Sequence, residues 1–212
     1  LDKLNNTKYT QPAIFIISAI AYNIYKDNFK LPNYCAGHSL GEITALYAAK
    51  VLDFRNALSL VKKRAENMQN ASIANPGKML AIINQDNQTI NRIIKLNSVI
   101  IANENSPKQI ILSGDVESIN KTIDYCKKNR IRTLLLPVSG AFHSSLMQSA
   151  SDALLETINH LNFKDAIMPI YQNYTALPAQ DKDEIRNYLV KQITSPVKWE
   201  KIIRNMIIGL LI

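Results

Sequence analysis

Cysteine is scarce in this sequence, and the two cysteines, Cys35 and Cys126, lie far apart along the chain. Their separation matches neither the spacing of a metal site nor a small disulfide-stapled scaffold. No N-terminal stretch resembles a signal peptide. We therefore expect reduced thiols and a cytoplasmic location, with no metal and no other cofactor.

Long hydrophobic runs are missing as well. The longest apolar stretch, residues 13–21, contains Ser18 and continues directly into polar residues. It is well short of the roughly 20 apolar residues that a bilayer-spanning helix needs. The stretch predicts a buried helix instead, and we expect no membrane association.

No segment concentrates charge of one sign. The formal net charge is +8, but the densest basic run is only Lys62-Lys63-Arg64. No aromatic residues interleave with that run, so the sequence lacks the pattern of a nucleic-acid site. The positive excess would instead favour encounter with an acidic protein partner.

The remaining composition is that of a globular protein. The 212 residues include 47% apolar and 20% charged residues, which is enough for one large domain with a smaller insert. The sequence lacks an initiator Met and stops in the apolar IIGLLI. We therefore expect a fragment that is truncated at both ends, and we expect it to be monomeric.

Residues 78–138 differ in pattern from the rest of the chain. Their order of predicted elements is strand, helix, strand, strand, helix, strand, which is typical of a ferredoxin-like subdomain. Around this insert, helices alternate with short strands, which favours a larger α/β body. In that body we predict a helix capped by Thr10, another at about 41–50, and a third capped by Asp53.

After the insert the body continues with further predicted elements. They are a helix at about 144–161, a strand near 168–172, a helix at 182–192, and a last helix after Pro196. The fold class that follows is α/β, with the insert flanked on both sides by the body.

Residues 36–42, AGHSLGE, form a Gly-x-Ser-x-Gly turn between a predicted strand and a predicted helix. Such an elbow exposes the serine hydroxyl and directs helix N–H groups toward it. Ser39 is a candidate nucleophile, and the backbone N–H of Leu40 is a candidate oxyanion donor. Gly37 and Gly41 would provide the room and backbone freedom of a sharp turn. The alternative is a Gly-Ser loop that only turns the chain.

A serine nucleophile needs a base, and the chain has three histidines. His38 is adjacent to Ser39 on a tight turn, so we expect local bonds that shape the loop. His160 is near the end of a predicted helix, as a surface or capping residue would be. His143 opens a predicted helix whose dipole would keep the imidazole neutral, so it is the candidate base. A helix-start histidine without function remains the alternative.

Arg64 borders the apolar stripe of its predicted helix, three positions after Val61 and four before Met68. Most arginines placed in this way extend to solvent or form surface ion pairs. A guanidinium beside an active site could instead bind a substrate carboxylate through two parallel hydrogen bonds. The residue pattern leaves both interpretations open.

Five sequence blocks occur in a characteristic order: AGHSLGE, VKKRAENMQNA, ANENSPKQIILSG, LPVSGAFHSSLM and SPVKW. In this order and at these intervals they resemble malonyl-CoA:acyl carrier protein transacylases and the acyltransferase domains of polyketide and fatty acid synthases. The resemblance extends through nearly the whole chain. It implies an α/β-hydrolase-like body with a parallel sheet, residues 1–76 and 139–212, and a ferredoxin-like subdomain, residues 77–138.

The resemblance also implies roles for residues. Ser39 would carry the acyl group, His143 would be its base, and Arg64 would hold the free carboxylate of the malonyl ester. The backbone carbonyl of Gln192 would orient the histidine in place of the acid of an ordinary triad.

Two further positions follow from the same resemblance. Phe142 would occupy the space of a 2-methyl branch, which disfavours methylmalonyl, and His38 is placed with the substrate-binding residues. Family members also begin with a strand and a Gly-Gln-Gly loop that supplies a second oxyanion N–H. This chain has neither, so we expect it to be impaired in turnover, because one such donor typically contributes about 100- to 1000-fold in rate.

The leading hypothesis is transfer of malonyl from malonyl-CoA, through an acyl-serine, to an acidic, phosphopantetheinylated acyl carrier protein in fatty acid or polyketide synthesis. One alternative is a serine hydrolase or thioesterase, which would need an acid; Asp86, Asp115 and Asp124 all fall inside the insert. Another alternative is a carrier-protein docking fragment without turnover. The sequence leaves open whether the protein is free-standing or part of a longer synthase.

Overall fold

The computed structural model describes residue 4 and residues 6–209. Its helices are α1 (Thr7–Asn28), α2 (Leu40–Ala48), α3 (Phe54–Ala74), α4 (Asn87–Asn97), α5 (Val116–Lys128), α6 (Gln148–Asn159), α7 (Lys182–Gln192) and α8 (Trp199–Gly209). Its strands are β1 (Cys35–Ala36), β2 (Gly77–Ile83), β3 (Ile100–Ser106), β4 (Gln109–Asp115), β5 (Thr133–Leu135), β6 (Ile170–Tyr171) and β7 (Pro178–Ala179). This mixture of helices and sheets confirms the α/β class.

Helix α1 begins earlier than its sequence predicts. Asn6 is the N-cap, and its side chain accepts the Lys8 N–H at 2.9 Å. The prediction that Thr10 caps this helix is wrong, because Thr10 lies within the helix and its hydroxyl donates to the Asn6 carbonyl at 2.9 Å. Asn is as good an N-cap as Thr, and it leaves room for another turn.

Helix α3 forms the centre of the body. Asp53 caps it as predicted, accepting the Asn56 N–H at 2.8 Å. Helix α3 packs against α1 and α6, and the residues it buries recur every three or four positions. Arg64 is one of them, so the geometry of α3 directs a guanidinium into the interior.

The sheet of the body is small in the described part of the chain. Strands β1 and β6 pair in parallel, with Cys35 opposite Ile170, and β7 pairs antiparallel with β6. The predicted parallel sheet is therefore confirmed only for β1 and β6, and β7 was not predicted. The β1–β6 pair aligns the ends of both strands, so the loops that follow them lie side by side.

The element order predicted for residues 78–138 is confirmed. The four strands form one antiparallel sheet in the order β3-β4-β2-β5. Helices α4 and α5 cover one face and enclose a separate core that includes Leu80, Ile93 and Ile119. The opposite face carries Met79 and its buried neighbours, against which Phe142 of the body packs.

The second half of the body departs from prediction at one helix. The helix predicted at 144–161 is divided into a 3-10 turn, Ser145–Met147, and α6. Helix α7 has the predicted bounds, and Asp181 caps it by accepting the N–H groups of Asp183 and Glu184. Within the described residues, no helix is both long and apolar enough to cross a membrane.

Candidate active site

Ser39 lies on a sharp turn between β1 and α2, with φ of 52° and ψ of −106°. A positive φ is strained for a residue with a side chain, and it is the conformation expected of a nucleophile elbow. Gly37 makes the turn possible, because a Cβ there would lie 2.0 Å from the backbone of Gly41. Gly41 itself faces open space in the described structure, so the prediction that it too provides room is wrong.

Asn173, in the loop after β6, connects both sides of the elbow. Its Oδ1 accepts the Ser39 N–H at 2.6 Å, and its Nδ2 donates to the Gly37 carbonyl at 2.8 Å. Because β6 pairs with β1, this loop is held next to the elbow. Asn173 is fully buried, and the sequence analysis missed it because no local pattern connects it to Ser39.

The backbone N–H of Leu40, directly after Ser39, is an unused donor in the described part of the chain. It belongs to the first turn of α2, where helix N–H groups have no partner within the helix. The next two N–H groups, of Gly41 and Glu42, donate to the carbonyls of His38 and Ser39. Among the described residues the Leu40 N–H has no acceptor, so it is available for a substrate oxyanion.

His143 and Ser39 are in direct contact, although 104 positions separate them. The Ser39 Oγ is 2.8 Å from His143 Nε2, and His143 Nδ1 is 2.9 Å from the carbonyl oxygen of Gln192. A carbonyl can only accept, so Nδ1 carries the proton and the Nε2 lone pair faces the serine hydroxyl. This is the tautomer of a general base.

The imidazole of His143 is neutral for a reason that differs from the predicted one. His143 does not open a helix: it sits in a turn with φ of 57°, before the 3-10 segment. Its pKa is lowered to about 3, mainly by burial and in addition by the nearby charge of Arg64. The prediction of a helix-dipole effect is therefore wrong, while the predicted availability of the base agrees with the geometry.

Gln192 contributes both its backbone and its side chain. It is the last residue of α7, where carbonyl groups lack partners within the helix, so its carbonyl is free to accept from His143. Its side-chain Oε1 accepts from Arg64 Nη2 at 3.0 Å, and its Nε2 donates to the Ser39 carbonyl at 3.0 Å. Sequence reasoning had pointed only to the carbonyl.

Arg64 is 2% exposed, so the alternative in which it extends to solvent is wrong. Its Nη2 donates to Ser39 Oγ at 3.0 Å, and its Nη1 donates to the side-chain oxygen of Gln11 at 2.5 Å. Its Nε–H finds no acceptor among the described residues. The sequence analysis also missed Gln11, whose position on the buried face of α1 is the only signal it gives.

Glu42 is the third residue that the sequence analysis missed. It lies in the AGHSLGE block, one turn after Ser39, and its side chain is fully buried. Its Oε2 accepts the Asn173 N–H at 2.9 Å and the Gln192 Nε2–H at 3.0 Å. A charged residue on the otherwise apolar inner face of α2 is the signal that could have identified it.

The other two predicted site residues lie at the boundary with the four-stranded sheet. The His38 Nε2 is 2.9 Å from the side-chain oxygen of Asn105, and the ring packs edge-on against Trp199. This agrees with a histidine that shapes its loop. Phe142 is half-buried between the body core and the inner face of the sheet. The third histidine, His160, is an exposed residue at the end of α6.

Together these groups place a partly buried serine beside a buried imidazole and a buried cation. Ser39 is the candidate nucleophile, His143 the candidate base, the Leu40 N–H a free donor, and Arg64 a buried cation within hydrogen-bond distance of the serine. Such an arrangement can form an acyl-serine and can hold an acyl group that ends in an anion. Among the described residues, no group of three or more His, Cys, Asp or Glu could hold a metal ion.

Comparisons with known proteins agree with this chemistry. The acyl transferase domain family matches residues 2–209, and the chain belongs to that family. It is 38% identical to the malonyl CoA-acyl carrier protein transacylase of Synechocystis over 201 residues, which are 94% of this chain and 67% of the relative.

Two solved structures show the likeness in three dimensions. The malonyl CoA-acyl carrier protein transacylase of Burkholderia pseudomallei has a TM-score of 0.92 and 35% identity, covering 99% of this chain and 72% of that one. A malonyl-transacylase solved in complex with a type II polyketide synthase acyl carrier protein has a TM-score of 0.93 and 34% identity, covering 98% and 69%. The resemblance inferred from the five sequence blocks is confirmed.

Proposed function

We propose that this protein transfers a malonyl group from malonyl-CoA, through an acyl-serine, to the phosphopantetheine thiol of an acyl carrier protein. The observation that carries the proposal is Arg64, a guanidinium that is 2% exposed and lies 3.0 Å from Ser39 Oγ. A buried cation beside the nucleophile fits an acyl group that ends in a carboxylate, because each charge then has a partner. The names of the relatives support the same substrates.

In the first half-reaction, Ser39 Oγ attacks the thioester carbon while its proton moves to Nε2 of His143. The carbonyl oxygen becomes an oxyanion, and the Leu40 N–H donates to it. The carbonyl then re-forms as the carbon–sulfur bond breaks, and the CoA sulfur receives the proton from Nε2. The products are malonyl-Ser39 and CoA.

The second half-reaction reverses these steps with another thiol. The phosphopantetheine thiol gives its proton to His143 Nε2 and attacks the ester carbon, and the Ser39 oxygen leaves and recovers that proton. The Gln192 carbonyl accepts the hydrogen bond from Nδ1–H throughout. Nε2 therefore serves as the base and then as the acid in each half-reaction. This chemistry requires neither a metal nor a cofactor.

Substrate selection is assigned to residues around the serine. Arg64 binds the malonyl carboxylate, and the family resemblance assigns to Phe142 the exclusion of a 2-methyl branch. His38 is included among the substrate-binding residues, although its contacts with Asn105 and Trp199 favour a role in shaping the loop. The acyl carrier protein would be drawn by the net charge of +8, because carrier proteins in this family's systems are acidic.

The fold class and domain bounds belong to the same proposal. Residues 1–76 and 139–212 are an α/β-hydrolase-like body, and residues 77–138 a ferredoxin-like subdomain. The parallel β1–β6 pair before the elbow supports the first assignment, and the β3-β4-β2-β5 sheet order with two helices on one face supports the second. A monomer, a cytoplasmic location, and a role in fatty acid or polyketide synthesis stay predictions.

Incubation with radiolabelled malonyl-CoA tests the function. A stable acyl adduct at Ser39 that an acyl carrier protein discharges supports transfer, whereas rapid release of free malonate indicates a hydrolase. Absence of label indicates a docking fragment. In the Ser39→Ala variant we expect no adduct, because no other described residue combines an elbow with a base in contact. An adduct that persists in this variant, on Cys35 for instance, would contradict the mechanism.

A further inference from the structure

The interior of the body holds one acidic and one basic side chain near each other. Among the buried residues of the described chain, Glu42 and Arg64 are the only Asp, Glu, Lys or Arg. They form no direct ion pair, since no nitrogen of Arg64 is within 4.0 Å of a Glu42 oxygen. Opposite charges that are both removed from water nevertheless stabilise each other strongly, because water does not screen them.

One amide group connects the two side chains. The Gln192 Oε1 accepts from Arg64 Nη2 at 3.0 Å, and the Nε2 of the same amide donates to Glu42 Oε2 at 3.0 Å. The amide is thus oriented with its negative end toward the cation and its positive end toward the carboxyl. Each charge favours the orientation that the other requires, so the three groups act as one unit.

The carboxyl of Glu42 is only half satisfied. Oε2 accepts two hydrogen bonds, from the Asn173 N–H and from Gln192, whereas Oε1 has no partner among the described residues. A proton added at Oε1 would leave both existing bonds in place, because Oε2 would still accept them. The site can therefore hold Glu42 in either protonation state without rearranging.

We propose that Glu42 is the counter-ion of Arg64 in the empty site, and that it takes up a proton when the carboxylate of a malonyl group pairs with Arg64. The proposal rests on the proposed function, since it needs a malonyl carboxylate at Arg64. The balance is simple: one proton from solvent binds the Glu42 carboxylate, and the malonyl carboxylate stays ionised. One cation and one anion are buried before and after binding.

The charges around Glu42 determine in which direction malonyl binding changes its pKa. Burial raises the pKa of Glu42 to about 7 in the empty site, and Arg64 and the two hydrogen bonds oppose that rise. A bound carboxylate neutralises Arg64 and adds a like charge, so it raises this pKa further. Binding takes up little proton well below pH 7, where Glu42 is already protonated, and takes up close to one proton above it.

The other titratable groups around Glu42 have pKa values that are shifted away from the pH range in which Glu42 titrates. Arg64, from α3, keeps its charge because burial lowers its pKa only to about 10. The pKa of His143 is lowered to about 3 and that of Cys35 is raised to about 12, both mainly by burial. Burial also lowers the pKa of His38 from its usual value, which disfavours the charged imidazolium. The remaining contacts of Glu42, Gln192 and Asn173, do not titrate.

Calorimetry of ligand binding tests the proposal. Ser39→Ala prevents acyl transfer, so malonyl-CoA and acetyl-CoA can each be titrated into this variant, in buffers of different ionisation enthalpy, at about pH 6 and about pH 8. Acetyl-CoA carries the same phosphates, so the difference between the ligands isolates the malonyl carboxylate. We expect net uptake with malonyl-CoA that approaches one proton at the higher pH, and none attributable to acetyl-CoA.

The matched variant is Ser39→Ala combined with Glu42→Gln. The glutamine oxygen can keep both bonds of Oε2 while its amide nitrogen takes the place of the unpartnered Oε1. It should bind malonyl-CoA without the extra proton. Equal uptake in the two variants, or malonyl binding at pH 8 without uptake in Ser39→Ala, would overturn the proposal. If Ser39→Ala does not bind malonyl-CoA at all, the proposed function itself fails.

A measurement on the unmodified protein is independent of the folding of either variant. The ratio of kcat/KM for malonyl-CoA to that for acetyl-CoA should fall by up to about ten-fold per pH unit above pH 7. Above that pH Glu42 is ionised in the empty site, and the proton that malonyl binding requires must come from an increasingly dilute supply in solvent. In the single variant Glu42→Gln the ratio should be flat over the same range. A flat ratio in the unmodified protein would overturn the proposal.

Discussion

Replacement of Arg64 should affect the transfer of malonyl, which ends in a carboxylate, differently from the transfer of acetyl, which does not. Arg64→Ala would leave a malonyl carboxylate buried without a partner, at a cost of about 2–5 kcal/mol, so malonyl transfer should collapse. Acetyl transfer should persist or rise, because acetyl has no carboxylate. Arg64→Lys should recover only part of the malonyl activity, since an ammonium cannot form the two parallel bonds. The measurement is the ratio of malonyl to acetyl transfer rates.

A parallel fall in both rates would contradict this role. The ratio would then stay constant, and Arg64 would be a structural residue that holds Gln11, Ser39 and Gln192 together.

His143 makes a prediction about pH. Because burial and Arg64 lower its pKa to about 3, the imidazole is neutral and able to accept a proton at any pH well above that value. Acylation by acetyl-CoA should therefore change little from pH 6 to pH 5, where Glu42 is protonated throughout. An imidazole with the usual pKa near 6.5 would lose about eight-fold over that interval. Rapid-quench mass spectrometry of the acetyl adduct gives the rate, and an eight-fold loss would refute the assigned protonation state.

At the scale of elements, the junction of β1 with α2 depends on one close backbone contact. A Cβ at position 37 would lie 2.0 Å from the carbonyl of Gly41, and neither group can move without shifting the first turn of α2. Gly37→Ala should therefore lower the free energy of unfolding by about 1–3 kcal/mol or more, and should slow acylation by displacing Ser39.

Gly41→Ala is the matched control for this contact. It adds the same methyl group, but in open space and at a helical position of α2. A Gly to Ala change at a helical position typically stabilises by about 0.5–1 kcal/mol, so the melting temperature of the 212-residue chain should stay equal or rise. Equal losses in the two variants would mean that the close contact at Gly37 does not hold the elbow.

At the scale of the whole molecule, the net charge of +8 makes a prediction about the acceptor. If an acidic carrier protein is drawn by long-range attraction, its KM should rise with salt, because the screening length falls from about 10 Å at 0.1 M to about 3 Å at 1 M. Pantetheine is an uncharged thiol acceptor, so its KM should stay nearly constant under the same conditions. Equal salt dependence of the two acceptors would show that net charge does not assist docking.

The sequence by itself determined most of the helices and strands, and it pointed to Ser39 and His143 as candidates for the chemistry. Asp53 caps α3, the βαββαβ order gives the four-stranded sheet, and Ser39 and His143 are recognisable from turn and loop patterns. Caps, periodicity and turns depend on residues close together in the chain, so a linear pattern contains them. The resemblance carried by the five family blocks added the proposed roles of Arg64 and of the Gln192 carbonyl.

Only the tertiary structure decided how these groups are held and charged. The Ser39 N–H bonds a side chain 134 positions away, on Asn173, and the amide of Gln192 meets Glu42 across 150 positions. Burial, which sets the pKa of His143 and of Glu42, likewise depends on every element that packs around them. No local pattern encodes such contacts, because they exist only once the strand pair and the helices have brought distant segments together and excluded water.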